Sequence, residues 1–309
     1  MISGLVSARE ILRWASSNET AVCAFNFSNL ETLRAITSAA IEAKVPIILQ
    51  ITESSINYIG IDYVVAIVSA AVKQLDSPVA LHLDHGKDVA ICKKCIEAGF
   101  SSVMIDKSSS GFSENVATTR EVIEYARKFG VSVEGELGVL PGFEENIAVH
   151  GESAMFTDAV QAARYIDATR VDSLAIAIGS VHGPYKGKNT SPRLDITRLR
   201  EIKCQVGPAY PLVLHGASSV YPDLVKLCNQ YGADIQDAYG LQDADIQSAV
   251  KFGITKVNID TDIRLAFIAG IRQSLTAAPS SLDLRKHLGL AIESMKNLVI
   301  RKMGLITKV

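Results

Sequence analysis

The chain has 309 residues and a formal net charge of -2, with 48% apolar and 21% charged residues. That is ample material for a large core, and the scattered Lys and Arg exclude a nucleic-acid surface or an anionic membrane as the main partner; a small anionic ligand still fits a locally basic site. No run approaches the roughly 18 apolar residues of a membrane span, the first ten residues lack a signal-peptide pattern, and the five cysteines (Cys23, Cys92, Cys95, Cys204, Cys228) are an odd number, read as free thiols in the cytoplasm.

A capping box from Ser7 to Glu10 opens the first helix. A strand is expected at 21–27, then a helix over 29–44 with Leu30, Leu33, Ile36 and Ile41 on its apolar side. A second strand follows at 46–51 and a helix over 64–73. Further strands are expected at 79–83, 102–105, 131–134, 174–178, 211–214 and 255–258, separated by helical stretches such as 89–98 and 114–129. Strands alternating with helices over this length favour an α/β fold, a (β/α)8 TIM barrel occupying 1–309 as one domain. The alternative, an open doubly wound sheet, lacks a G-x-G-x-x-G after the first strand. Segment 220–247, broken by Pro222, Gly232 and Gly240, reads as an insertion after the seventh strand. The tail after Ser281 reads as a helix packed across the barrel or onto a neighbouring subunit.

On a barrel, polar residues at the C-terminal ends of strands read as functional. Here those ends carry Asp84-His85-Gly86, Asp106, Glu134-Gly135-Glu136, His182-Gly183, His215-Gly216-Ala217-Ser218 and Asn258-Ile259-Asp260-Thr261. The chain has six histidines. Any one of His85, His182 and His215 alone reads equally well as a hydrogen-bonding rim residue; the three together, leaving an open position, suit a catalytic zinc. His82 reads as a core histidine supporting the site. Gly216-Ala217-Ser218 and 258–261, with Gly183 and Lys186, place backbone N–H groups and hydroxyls where barrels hold a phosphate. Cys92-x-x-Cys95 lies within an expected helix and reads as packed thiols rather than a redox or metal pair.

Several long motifs occur in order: Pro78-Val79-Ala80-Leu81-His82-Leu83-Asp84-His85-Gly86, Ala98-Gly99-Phe100-Ser101-Ser102-Val103-Met104-Ile105-Asp106, Val133-Glu134-Gly135-Glu136-Leu137-Gly138 and Leu212-Val213-Leu214-His215-Gly216-Ala217-Ser218. With them the chain closely resembles the class II fructose-bisphosphate aldolases, in particular their shorter branch. The resemblance implies a catalytic zinc on His85, His182 and His215 and a second cation position, divalent or monovalent, at Asp106 and Glu136. It implies Asp84 as acid–base for the aldehyde oxygen and Glu144, beside Glu145, as the carboxylate that moves the carbon-bound proton. Gly183, Gly216, Ala217, Ser218 and Asn258 to Thr261, Asp260 among them, would hold the triose phosphate, Arg264 the other phosphate, and Asn26 and Thr52 complete the substrate contacts. An acid at Asp260 favours fructose over tagatose bisphosphate. The segment after Asp106 lacks the histidine pair many relatives carry, and Thr52 stands where relatives have serine but keeps the hydroxyl. The resemblance also implies a homo-oligomer, dimer or tetramer, acting on sugar bisphosphates and triose phosphates. The rival readings are an aldolase for tagatose or another ketose bisphosphate, a phosphate-binding barrel hydrolase, and a non-catalytic zinc-binding barrel.

Overall fold

The computed structural model of the chain describes residues 1–144, 147–149, 155–183 and 192–307, with backbone alone at 142–144 and 147–149. It begins with α1 (Ala8–Ser17), β1 (Val22–Asn26), α2 (Leu30–Ala43), β2 (Ile47–Thr52), α3 (Glu53–Ile59) and α4 (Ile61–Val72). Next come β3 (Val79–Gly86), α5 (Val89–Ala98), β4 (Ser102–Ile105), α6 (Phe112–Arg127) and β5 (Ser132–Leu137). A small antiparallel hairpin, β6 (Gly142–Glu144) and β7 (Ile147–Val149), precedes α7 (Ala159–Thr169), β8 (Ser173–Ile176) and α8 (Ile196–Val206). The chain then forms β9 (Leu212–Leu214), α9 (Pro222–Gln230), α10 (Asp243–Lys251), β10 (Ile254–Ile259), α11 (Thr261–Ala277) and α12 (Leu284–Ile306).

Eight of these strands close a parallel barrel in the order β1-β10-β9-β8-β5-β4-β3-β2, the expected (β/α)8 architecture. Two strands run further than their apolar runs indicated: β3 continues to Gly86 and β5 to Leu137, so Asp84, His85 and Glu136 lie within strands rather than after them. Between β9 and β10 the expected insertion resolves into α9, an additional helix, and α10.

Strand alternation divides the barrel into two surfaces. The register pairs Ala24 with Ile48 and Ile48 with Ala80, and above them Gln50 with His82 and Thr52 with Asp84. The opposite faces, with Phe25, Leu49, Ile51, Leu81 and Leu83, join the main apolar core under the helices. The lower lumen is apolar: Val22, Ala24, Ile48 and Ala80 pack against Ala8, Ile11, Leu12 and Ala15 of α1. This helix therefore plugs the N-terminal end of the barrel. Its cap is Ser7, whose hydroxyl oxygen accepts from the Glu10 N–H at 3.4 Å.

The expected apolar side of α2 needs correction. Asn29 and Thr32 form a reciprocal capping box and Leu33 and Ile36 are buried, but Leu30 and Ile41 are 47% and 44% exposed. Five residues on from Ile36, a helix has turned about 140° past the buried face, and Leu30 stands at the first helical position. Small residues, Ala35, Ala39 and Ala40, complete the buried stripe instead.

The tail after Ser281 is helical as expected, and α12 lies against α11 so closely that a Cβ on Gly270 would meet the Ala291 Cα at 2.6 Å. Among the described residues no single helix is long and apolar enough to cross a membrane; α3 and α4 together are apolar enough but bend by 93°. Gly270→Ala forces the two helix backbones apart and is expected to destabilise the fold by about 1–3 kcal/mol, read as a lower thermal midpoint; an unchanged midpoint would contradict this packing.

Candidate active site and metal centre

The polar residues stand at the upper end of the lumen, where the strands stop presenting apolar side chains. Lys256 of β10 is fully buried and donates to Glu134 Oε2 of β5 at 2.8 Å and to His82 Nε2 of β3 at 3.2 Å. Because His82 accepts there, its Nδ1–H donates to Ser102 Oγ at 2.7 Å. Burial and the Lys256 charge push His82 down to about 3, so it stays neutral. It is the supporting core histidine expected. Burial raises the Glu134 carboxyl, but the Lys256 charge and the His215 hydrogen bond carry it well below the ordinary carboxylate range.

His215 donates from Nε2 to Glu134 Oε1 at 3.0 Å, which turns its Nδ1 upward, 3.0 Å from His85 Nε2. His85 is held by its other nitrogen, Nδ1, against Asp106 Oδ2 at 2.9 Å. The ring centroids of His85 lie 4.7 Å from those of His215 and 5.3 Å from those of His182. His182 is buried, and its backbone N–H donates to Pro141 O at 2.9 Å. One nitrogen from each of the three histidines lies within 4.8 Å of the others, and His85, Asp106 and Glu136 form a second such group. The sequence placed these five residues together, and the fold does so.

Asp84 stands beside His85 with three amides on it. Asn26 donates to Oδ2 at 2.9 Å, Gln50 to Oδ2 at 3.4 Å, and Asn258 to Oδ1 at 3.3 Å. Burial raises this carboxyl, yet the charges of His85, His215 and Lys256 and the Asn26 bond outweigh it and hold it below the ordinary value. Asp84 is thus an ionised carboxylate next to the histidines.

Asn26, Asp84, His85, His182, Gly183, His215, Gly216, Ala217, Ser218, Asn258, Asp260 and Thr261 line one narrow cleft. A wider cavity of about 760 Å³ beside α9 contains none of the histidines. Gly216 has φ 61°, and a Cβ there would meet the Val181 carbonyl oxygen at 2.6 Å, so only glycine fits this close approach.

Other expected residues stand elsewhere. Thr52 is not part of the cleft lining; its hydroxyl caps α3 and contacts the hydroxyls of Ser54 and Ser55. Arg264 sits one turn along α11 and is held by Asp260, with Nε–Oδ1 2.9 Å and Nη2–Oδ2 2.6 Å. Glu144 falls in β6, its side chain outside the described residues, and Glu145 and Lys186 lie outside them altogether. Cys92 and Cys95 are buried, and burial pushes Cys95 up to about 12, in keeping with packed, unreactive thiols. Gln50 and Lys256 also belong to this polar layer; the signal for them in the sequence is a long polar side chain at an inward strand position.

Residues 6–309 match the family model for fructose-bisphosphate aldolase class-II. The chain belongs to the class II fructose-bisphosphate aldolase family. It is 44% identical to a fructose-bisphosphate aldolase of Thermus caldophilus over 99% of both chains, and 43% identical to one of Helicobacter pylori over 98% of both. The YdjI aldolase of Escherichia coli K12 superposes with a TM-score of 0.78 at 27% identity, covering 98% of this chain and 97% of that one.

Class II aldolases are metal-dependent, and the donor set here suits a cation. With Nδ1 of His85 and Nε2 of His215 spent on carboxylates, the two remaining nitrogens face each other, the arrangement that outer carboxylates impose on metal-binding imidazoles. Among the described residues Glu136 Oε2 is buried without a hydrogen-bond partner, 3.8 Å from Nδ1 of both His85 and His215. Burial and the Asp106 charge raise Glu136 well above the usual carboxylate range. For His85, burial lowers the pKa but Asp84 and Asp106 together raise it well above 6.5. Both shifts favour the protonated forms, with which a cation must compete, so affinity falls as pH falls. Zinc added to metal-stripped protein at pH 7 is expected to release about one proton or more, measured by calorimetry in buffers of different ionisation enthalpy. Heats independent of the buffer would contradict this.

Proposed function

We propose that the chain, acting as a single domain over 1–309, reversibly cleaves fructose 1,6-bisphosphate to dihydroxyacetone phosphate and glyceraldehyde 3-phosphate in glycolysis and gluconeogenesis. The observation that carries this reading is the cleft itself: three converging imidazoles, an ionised carboxylate held by three amides, and glycine-bearing turns on one wall. His85, His182 and His215 would hold zinc, and Asp106 and Glu136, with His85, a second divalent or monovalent cation. When bound, zinc supplies Lewis-acid stabilisation of negative charge on the ketone oxygen. In cleavage, Asp84 takes the proton of the C4 hydroxyl, the C3–C4 bond breaks, and C4 leaves as the aldehyde. The electron pair left on C3 takes a proton from Glu144, releasing dihydroxyacetone phosphate. Asn26, Gln50 and Asn258 fix the carboxylate of Asp84 so that it meets the hydroxyl without reorganising.

Gly183, Gly216, Ala217, Ser218, Asn258, Asp260 and Thr261, with Lys186, would cradle the triose phosphate, and Thr52 would approach from the end of β2 opposite Asp84. Arg264 would meet the second phosphate. The acid at Asp260, which the resemblance associates with fructose rather than tagatose bisphosphate, is held in place by Arg264. A homo-oligomer, dimer or tetramer, in the cytoplasm completes the reading.

Fructose and tagatose 1,6-bisphosphates are to be assayed side by side, before and after chelation and zinc add-back. The expected result is fructose preference, lost with the chelator and restored by zinc, with Asp84→Ala lowering kcat by about a hundredfold or more. Tagatose preference would reverse the substrate choice; no cleavage of either by folded, zinc-loaded protein would refute the aldolase reading for this chain.

A further inference from the structure

Behind the glycine-bearing wall of the cleft lies a buried ion pair to which no step above assigns a role. Lys302 of α12 is fully buried and donates to Ser219 Oγ at 2.6 Å, with Asp262 Oδ2 at 3.0 Å. Asp262, equally buried, accepts from the backbone N–H groups of Ser219 at 2.8 Å and Val220 at 2.7 Å. Asp262 directly follows Thr261, and Ser219 directly follows Ser218. One carboxylate therefore ties together the two chain segments, after β9 and after β10, that form the anion-facing wall.

The backbone joined in this way is strained. Val220 has φ 49°, a region a β-branched residue rarely enters. The segment is also backed tightly: a Cβ on Gly240 would meet Ser219 C at 2.2 Å, and the Leu241 N–H donates to Ser218 O at 3.1 Å. Asp243 completes the surroundings, accepting from Ser219 Oγ at 2.9 Å and from the Tyr221 hydroxyl at 2.8 Å, and the Lys302 ammonium lies 4.6 Å from the Tyr221 ring. Burial lowers the Lys302 pKa, but Asp262 and Tyr221 raise it above the ordinary lysine value, so the ammonium is retained.

We propose that Lys302 is a positioning residue for phosphate binding: through Ser219 and Asp262 it holds segment 216–220 in the strained shape that aims its backbone at the anion. This rests on the reading of that wall as the triose-phosphate cradle. A purely structural role predicts something different, because replacing a member of a buried ion pair then acts on stability alone, and such pairs are often neutral to stability when apolar groups substitute for them. A positioning role acts on anion affinity whatever happens to stability.

The test compares wild type, Lys302→Met and Ser219→Ala, each as full-length zinc-loaded protein, by thermal midpoint, calorimetric affinity for inorganic phosphate, and cleavage kinetics. Losing a charge-assisted contact behind the cradle is expected to weaken phosphate binding about tenfold and raise KM for the bisphosphate similarly, with kcat little changed. Ser219→Ala removes only one hydroxyl, so it decides the matter should Lys302→Met fail to fold. Wild-type phosphate affinity in either folded variant would overturn the proposal, whatever the cleavage assay gives. Weakened phosphate binding in variants of a wild type that cleaves neither ketose would uphold the clamp and refute the aldolase reading instead.

Discussion

Inside the barrel, above the apolar plug made by α1, Lys256 and Glu134 meet with essentially no access to water. Burying two opposite charges costs more than their attraction returns unless further hydrogen bonds satisfy them. Here the lysine also reaches His82, and the carboxylate also takes His215 and Ser173. This requirement sets the order of everything above it. Glu134 takes one nitrogen of His215, so the other faces His85; Asp106 takes one nitrogen of His85, so the other faces back. The two imidazoles are aimed by the groups beneath and beside them.

Strand β10 connects this centre to the rest of the site. Lys256 supports the histidines, and two residues on, at the same face, Asn258 holds Asp84. The chain then leaves the strand through Asp260 and Thr261 at the cleft and Asp262 behind it. A single stretch of seven residues thus touches the histidine cluster, the Asp84 carboxylate and the glycine-bearing wall of the cleft. Small shifts in the register of β10 would disturb all three at once, and the closed barrel, paired on both sides by β1 and β9, resists such shifts.

Much of this was legible in the sequence. The eight strands and their order of alternation follow from apolar runs separated by helical periodicity, and β4 has the bounds expected of it. The three histidines stand out because they lie at or beyond the ends of three separate strands. Strand ends are harder: the apolar runs of β3 and β5 give out at Leu83 and Val133, but the upper lumen is polar, so the strands continue through Asp84, His85 and Glu136. Lys256 and Lys302 carried no readable role because their partners are distant in the chain, Glu134 by 122 residues and Ser219 by 83. Local pattern cannot distinguish a lysine facing water from one facing a carboxylate across a barrel. Leu30 and Ile41 mislead for the opposite reason: they are apolar and near helical spacing, but the smaller Ala35, Ala39 and Ala40 occupy the buried face.

The central claim, that the buried charges below the histidines aim them at a metal, is tested most directly by the zinc affinity of Glu134→Gln. The substitution keeps the shape of the side chain and removes its charge. Competition with a chelating dye is expected to show binding weaker by about tenfold to a hundredfold, with the circular dichroism of the fold retained. Wild-type affinity in the folded variant would contradict the account.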